Sequence, residues 1–119
     1  MNRILVLDDV SDSANLVKNI LEPKGYEIVV FTEEEDALNY VRNHDVDLAI
    51  LDIKLKKMSG VEVLAELKKI DSSIRTIMVT GYTTMETARK CLKLGADEYC
   101  IKPVDNDELE EKVAEVLDK

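Results

Sequence analysis

A chain of 119 residues is the size of one compact domain and too short for two ordinary ones. Apolar residues at 45% and charged residues at 34% give a globular balance that excludes disordered and fibrous classes, and a chain this long buries roughly two-thirds of its unfolded surface without staples. Asp and Glu outnumber Lys and Arg by 25 to 16, and the net charge of −9 repels phosphate backbones, which argues against direct nucleic-acid or acidic-membrane binding.

The first apolar run, residues 4–7, is too short for a signal peptide or a membrane span and reads as a strand, so a cytoplasmic protein is expected. Ala14, Val17 and Leu21 then recur at helical spacing, and Pro23 and Gly25 end that helix. A second strand over 28–31 precedes a helix marked by Leu38 and Val41, with Thr32 and Glu35 in capping-box spacing at its start. The acidic run 33–36 there reads as a solvated face, and His44, the only histidine, lies near the helix end, where the helix dipole favours it. The third strand, 48–51, leads to a helix capped by Ser59 with Glu62 and carrying Val61, Leu64 and Leu67. The fourth, 76–79, leads to Ala88, Cys91 and Leu92, with Thr83 and Glu86 at the start and Gly95 at the end. The fifth, 99–101, leads to Leu109, Val113, Val116 and Leu117, opened by Asp105 with Glu108.

The strand runs do not alternate apolar with polar, which is the mark of strands buried on both faces of a parallel sheet. They begin roughly two dozen residues apart, the length of a strand plus a crossover helix. Strand and helix repeated five times predicts a doubly wound α/β sandwich forming one domain over 1–119. Cys91 and Cys100 have no metal-ligand or redox spacing and read as small core residues.

In open parallel sheets chemistry gathers beyond the carboxyl ends of the strands. Asp8 and Asp9 follow the first run, Asp52 the third, Thr80 the fourth, and Lys102 with Pro103 the fifth. In strand order 2-1-3-4-5 those ends are neighbours, and the second strand, whose run ends in Phe31 and Thr32, is an edge. Two carboxylates about 4 Å apart repel by about 4 kcal/mol at an effective dielectric near 20. Either a pKa rises or a cation neutralises the cluster, and Lys102 brings one charge against three. All-oxygen ligands without His or Cys favour Mg²⁺ over zinc. Such a crevice suits a phosphoryl group, with Lys102 offsetting its charge and Thr80 bonding one oxygen. Asp52, central and already ionised, is the natural nucleophile, and it leaves the acidic pair to hold metal.

Together Asp8-Asp9, Asp52, Thr80 and Lys102-Pro103 resemble the receiver domain of bacterial response regulators, the CheY-like family, over essentially the whole chain. Gly60, eight residues after Asp52, and Gly95-Ala96-Asp97 add to the likeness. The resemblance implies a flavodoxin-like (βα)5 sandwich. It implies phosphorylation of Asp52 by a histidine kinase or phosphotransfer protein and a conformational switch that controls a partner or output domain. It also implies Mg²⁺ held directly by Asp9, Asp52 and the Lys54 backbone carbonyl, with Asp8 acting through water. Thr80 and Tyr99 would move on phosphorylation, Lys102 would pair with phosphoryl oxygens, and the Lys102–Pro103 bond would be cis. A receiver is not an enzyme in the ordinary sense, since it catalyses only its own phosphorylation and dephosphorylation.

The chain departs from the family at Lys56, where many members have proline, in a basic loop with Lys54 and Lys57, and at the bulky Tyr82. Tyr82 and the Lys54 side chain are expected to hinder attacking water and lengthen the phosphoryl lifetime. The output surface is expected on the fourth helix, fifth strand and fifth helix, where Arg89, Lys90 and Lys93 stand beside Glu108, Glu110 and Glu111 and suit a symmetric dimer.

Three other readings compete. An aspartate-based Mg²⁺ phosphohydrolase needs a second acid two residues after its nucleophile, but Val10 and Lys54 occupy those places. A flavodoxin-like cofactor binder needs a phosphate loop where Asp8-Asp9 stand, and neither G-x-G-x-x-G nor a P-loop is present. A pseudo-receiver acting by protein binding alone would keep the fold without the chemistry. The kinase, the output target, and whether the chain acts alone or as part of a longer regulator are not written in these residues.

Overall fold

Because the apolar runs carry no polar alternation, they take the centre of the molecule, and helices cover both of their faces. The structure, a computed structural model, describes residues 2–53, 59–81 and 85–118. In chain order the elements are β1 (Arg3–Leu7), α1 (Ser11–Leu21), β2 (Glu27–Phe31), α2 (Glu34–Asn43), β3 (Leu48–Leu51), α3 (Gly60–Ile70), β4 (Arg75–Thr80), α4 (Met85–Lys93), β5 (Glu98–Ile101) and α5 (Asn106–Leu117). A 3₁₀ turn, Glu22–Lys24, follows α1 and carries Pro23. All strand pairs are parallel, in the order β2-β1-β3-β4-β5. This is the doubly wound, flavodoxin-like sandwich expected from the sequence.

Residues 4–7 and 48–51 are at most 1% exposed, as strands covered on both faces must be. Alternate side chains feed two cores. Leu5, Leu7, Ala49, Leu51 and Met78 meet α2, α3 and α4 through Leu38, Val41, Val63, Leu64, Leu67 and Cys91. Ile4, Val6, Leu48, Ile50, Ile77, Val79 and Cys100 meet α1 and α5 through Ala14, Val17, Leu21, Leu109, Val113 and Val116. Truncating a fully buried member such as Leu51 to alanine costs about 2–5 kcal/mol.

The helix signals hold in part. Ser59 caps α3, its Oγ accepting the Glu62 N–H at 3.2 Å, and Asp105 caps α5 by accepting the Glu108 N–H at 2.9 Å. Thr32 does not cap α2. The chain is still extended at Glu33, which takes the cap position without a side-chain capping bond, so the helix starts one residue later than the box requires. Thr83 lies outside the described residues. Gly25 at φ +95° closes the 3₁₀ turn. Gly95 at φ +104° follows α4, and both angles suit glycine.

Two surface expectations need correcting. Glu34 is only 2% exposed, so the acidic run is not wholly solvated; it sits in the first turn of α2, where the helix dipole favours a negative charge. Leu92 is 50% exposed, because α4 buries only Cys91 fully. His44 follows α2, its ring stacked on Tyr40 at 4.1 Å.

Candidate functional site

The parallel register brings the carboxyl ends of β1, β3, β4 and β5 side by side. Asp8 follows β1 and its N–H donates to Phe31 O at 3.1 Å, while Asp52 follows β3 and its N–H donates to Leu7 O at 3.0 Å. Both acids therefore extend the ladder by one step and turn their carboxylates into the space above the sheet. Carboxylate oxygens of Asp8, Asp9 and Asp52 lie within 4.8 Å of one another, with Asp8 4% and Asp52 7% exposed and Asp9 half-buried.

Lys102 reaches this cluster from beyond β5. Its N–H donates to Thr80 O at 2.8 Å, and its ammonium donates to Asp8 Oδ2 at 2.7 Å and Asp52 Oδ2 at 3.0 Å. Burial alone would push the Lys102 pKa down, but the hydrogen bonds and charges of Asp8 and Asp52 outweigh it and hold the ammonium above its ordinary range. The Lys102–Pro103 bond is cis, as the resemblance implies. Asp8 does not cap α1: Val10 takes the cap position, and its N–H donates to Asp8 Oδ1 at 3.0 Å.

Thr80, fully buried, ends β4 opposite Ile101. It lies on the same sheet face as Met78 and Tyr99, so Thr80 and Tyr99 are diagonal neighbours beneath the crevice. Tyr99 is half-buried, and the Lys112 ammonium donates to its carbonyl at 2.7 Å and stands 6.0 Å from its ring centroid. A recess of about 370 Å³ opens beside it, lined in part by Ile101, Pro103, Asp105, Glu108 and Lys112. Lys54, Lys56, Lys57 and Tyr82 lie outside the described residues.

The donor set is a chemical match for a hard divalent cation. It offers oxygen atoms from separate carboxylates, close enough to share an ion, without imidazole or thiol competition. A single ammonium stands among these acids, so the cluster keeps net negative charge among the described residues. The cysteines play no part: both are buried, and burial pushes the Cys91 thiol up and the Cys100 thiol to about 11. On the expected output surface Arg89, Lys90 and Lys93 are exposed on α4, as are Glu108 and Glu111 on α5. Glu110 departs from that arrangement and pairs with Lys24 at 3.7 Å, facing the 3₁₀ turn.

Sequence reasoning missed one component of the site. It noted Gly60 only as a likeness, although the backbone of Gly60 packs directly on Asp52 and Ile53. Nothing in one-dimensional spacing reports that approach.

Comparison with known proteins agrees with this geometry. The family model for the response regulator receiver domain matches residues 4–114. The transcriptional regulatory protein ZraR of Klebsiella oxytoca is 36% identical over 114 residues, which are 96% of this chain and 26% of that protein, so the chain spans about a quarter of that relative. The crystal structure of a CheY-like receiver domain protein from Methanospirillum hungatei superposes with a TM-score of 0.95 at 39% identity, covering 99% of this chain and 94% of the other. Response regulator TrrA of Thermotoga maritima, solved in complex with Mg²⁺ and BeF, gives 0.87 at 37% identity over 98% and 99% of the two chains. No described helix is long and apolar enough to cross a membrane.

Proposed function

Because the chain belongs to the response regulator receiver domain family of two-component signalling, we propose that Asp52 accepts a phosphoryl group in a Mg²⁺-dependent reaction and that a single receiver domain over residues 1–119 answers with a change of surface. The observation that carries this reading is the convergence of Asp8, Asp9 and Asp52 around one lysine at adjacent strand ends.

Asp8, Asp9 and Asp52, with the Lys54 carbonyl, are the residues that would hold Mg²⁺. When bound, the ion offsets negative charge among the carboxylates and on the incoming phosphoryl oxygens. A carboxylate nucleophile has no proton to lose, so Asp52 needs no general base. Its carboxylate oxygen forms the new bond to phosphorus as the donor's phosphorus–nitrogen bond breaks and the imidazole of a phosphohistidine leaves. Lys102, whose ammonium already lies between Asp8 and Asp52, is placed to turn toward phosphoryl oxygens as the Asp52 charge is redistributed. Thr80 would donate its hydroxyl to a phosphoryl oxygen, and Tyr99, its diagonal neighbour, would follow into the space it leaves.

Phosphorylation then acts as a ligand that binds one of two conformations better. The change would reach the α4–β5–α5 face, where basic α4 and the recess beside Tyr99 offer a surface for a downstream protein, an output domain or a second copy of the chain. The donor would be a histidine kinase or phosphotransfer protein, in the cytoplasm. Direct binding of nucleic acid or membrane is not part of the proposal, given the net charge of −9.

Intact mass after incubation with Mg²⁺ and acetyl phosphate tests the reading. A gain of one phosphoryl group, absent in Asp52→Asn and with chelator, is expected. A gain that survives in Asp52→Asn would overturn it, and no gain from any donor would favour a pseudo-receiver that signals by binding alone.

A further inference from the structure

Gly60 is buried at the first turn of α3, and its N–H donates to Ile53 O at 2.7 Å. A Cβ at this position would clash with the Asp52 carbonyl oxygen and lie 2.7 Å from Ile53 Cα and 2.8 Å from Asp52 C. Those are backbone atoms, so no rotamer change relieves the contact. Its φ is not positive, unlike those of Gly25 and Gly95, so what position 60 demands is space rather than a left-handed conformation. On the opposite side, the Asp52 N–H is held by Leu7 O at 3.0 Å. The backbone on either side of the Asp52–Ile53 peptide is thus held, by the end of β1 before it and by the start of α3 after it.

We infer that Gly60 is a positioning residue for the phosphoacceptor: its missing side chain lets α3 close on the Asp52–Ile53 peptide and fixes the carboxylate among Asp8, Asp9 and Lys102. This rests on the reading of Asp52 as the phosphoacceptor. Any side chain at 60 displaces that backbone, and the Asp52 carboxylate, held 3.0 Å from Lys102 Nζ, moves with it. Misplacing a reacting group by about 1 Å costs about a hundredfold in rate.

The test compares Gly60→Ala with Gly95→Ala in the full chain. Gly95 has φ +104° and a Cβ there would lie 3.2 Å from Lys68 Cε, so its replacement strains the fold at the opposite end of the strands, away from Asp52. Mg²⁺ affinity by titration calorimetry and the initial rate of phosphoryl gain from acetyl phosphate are both expressed per folded molecule. Gly60→Ala is expected to weaken Mg²⁺ binding about tenfold and slow phosphorylation about a hundredfold, whereas Gly95→Ala lowers the melting temperature and keeps both values. A folded Gly60→Ala with wild-type affinity and rate overturns the inference. Should Gly60→Ala not fold, Ser59→Ala loosens the same first turn without added bulk, and a Mg²⁺ affinity about threefold weaker is expected. An unchanged affinity there overturns it equally. A wild-type chain that neither binds Mg²⁺ nor gains a phosphoryl group fails the Asp52 reading itself, an outcome distinct from either variant result.

Discussion

At the amino ends of the strands, Asp47 Oδ2 accepts the Arg3 N–H at 2.8 Å and Asp97 Oδ2 accepts the Thr76 N–H at 2.9 Å. Before β4, Asp71 Oδ1 accepts the Ser73 hydroxyl at 2.6 Å and its N–H at 3.0 Å, and those bonds hold the Asp71 carboxyl below its usual range. At the carboxyl ends, Asp8, Asp9 and Asp52 cluster, and Asp8 and Asp52 share Lys102. The residue type is the same at both ends, and the difference lies in the partners. A carboxylate bonded to backbone amides fastens a strand or turn and leaves little capacity for a ligand. Clustered carboxylates with one ammonium between them keep charge that a cation and a phosphoryl group can answer.

The contrast breaks most visibly at Lys102. Among the described residues Lys102→Met removes the only cation beside the three acids, and phosphoryl gain from acetyl phosphate is expected to slow by about 10²–10³. The same variant sharpens the electrostatics. Because the folded pKa of Lys102 is raised above its ordinary value of 10.5, the stability it contributes is fully present below about pH 10.5 and is lost as pH rises through the folded value. Alkaline unfolding curves should therefore fall more steeply in wild type than in Lys102→Met, and parallel curves would contradict the pairing.

Neutralising one acid at each end should give opposite signs. In metal-free protein, Asp9→Asn relieves repulsion and is expected to raise unfolding free energy by about 1 kcal/mol, discounted for partial exposure. Asp47→Ala removes an amide partner and is expected to lower it by about 0.5 kcal/mol, with phosphorylation unchanged. Urea melts of the two variants measure both, and a destabilised Asp9→Asn would erase the distinction between the ends.

The smallest effect concerns Asp71. Its lowered pKa contributes stability above its ordinary value of 3.8 that is lost as pH falls through the folded value. Ser73→Ala should cost about 0.3 kcal/mol at neutral pH and nothing near pH 2, read from acid-titrated melts, because solvent screens the part-buried carboxylate.

Much of this was legible in one dimension. Unbroken apolar runs reported burial on both faces, and the polar residue after each run reported the crevice, because strand ends in a parallel sheet must converge. Local signals were less secure. Thr32 and Glu35 have the spacing of a cap, yet one extended residue at Glu33 displaced the helix start, an outcome that depends on how β2 leaves the sheet. Leu92 obeys helical spacing and still faces outward, because α4 presents only a narrow stripe to the core. Glu34 is hidden within a run that composition alone marks as solvated. The approach of Gly60 to Asp52 has no sequence signature beyond the glycine itself, since it arises from the meeting of a helix start with a strand end.

The most direct measurement is the position of the phosphoryl group. Wild-type protein treated with Mg²⁺ and acetyl phosphate, reduced with borohydride and mapped by peptide mass, should carry the reductive label at residue 52 alone. Label at Asp8 or Asp9, with residue 52 unmodified, would contradict the assignment of Asp52 as nucleophile and of its acidic neighbours as the metal-holding pair.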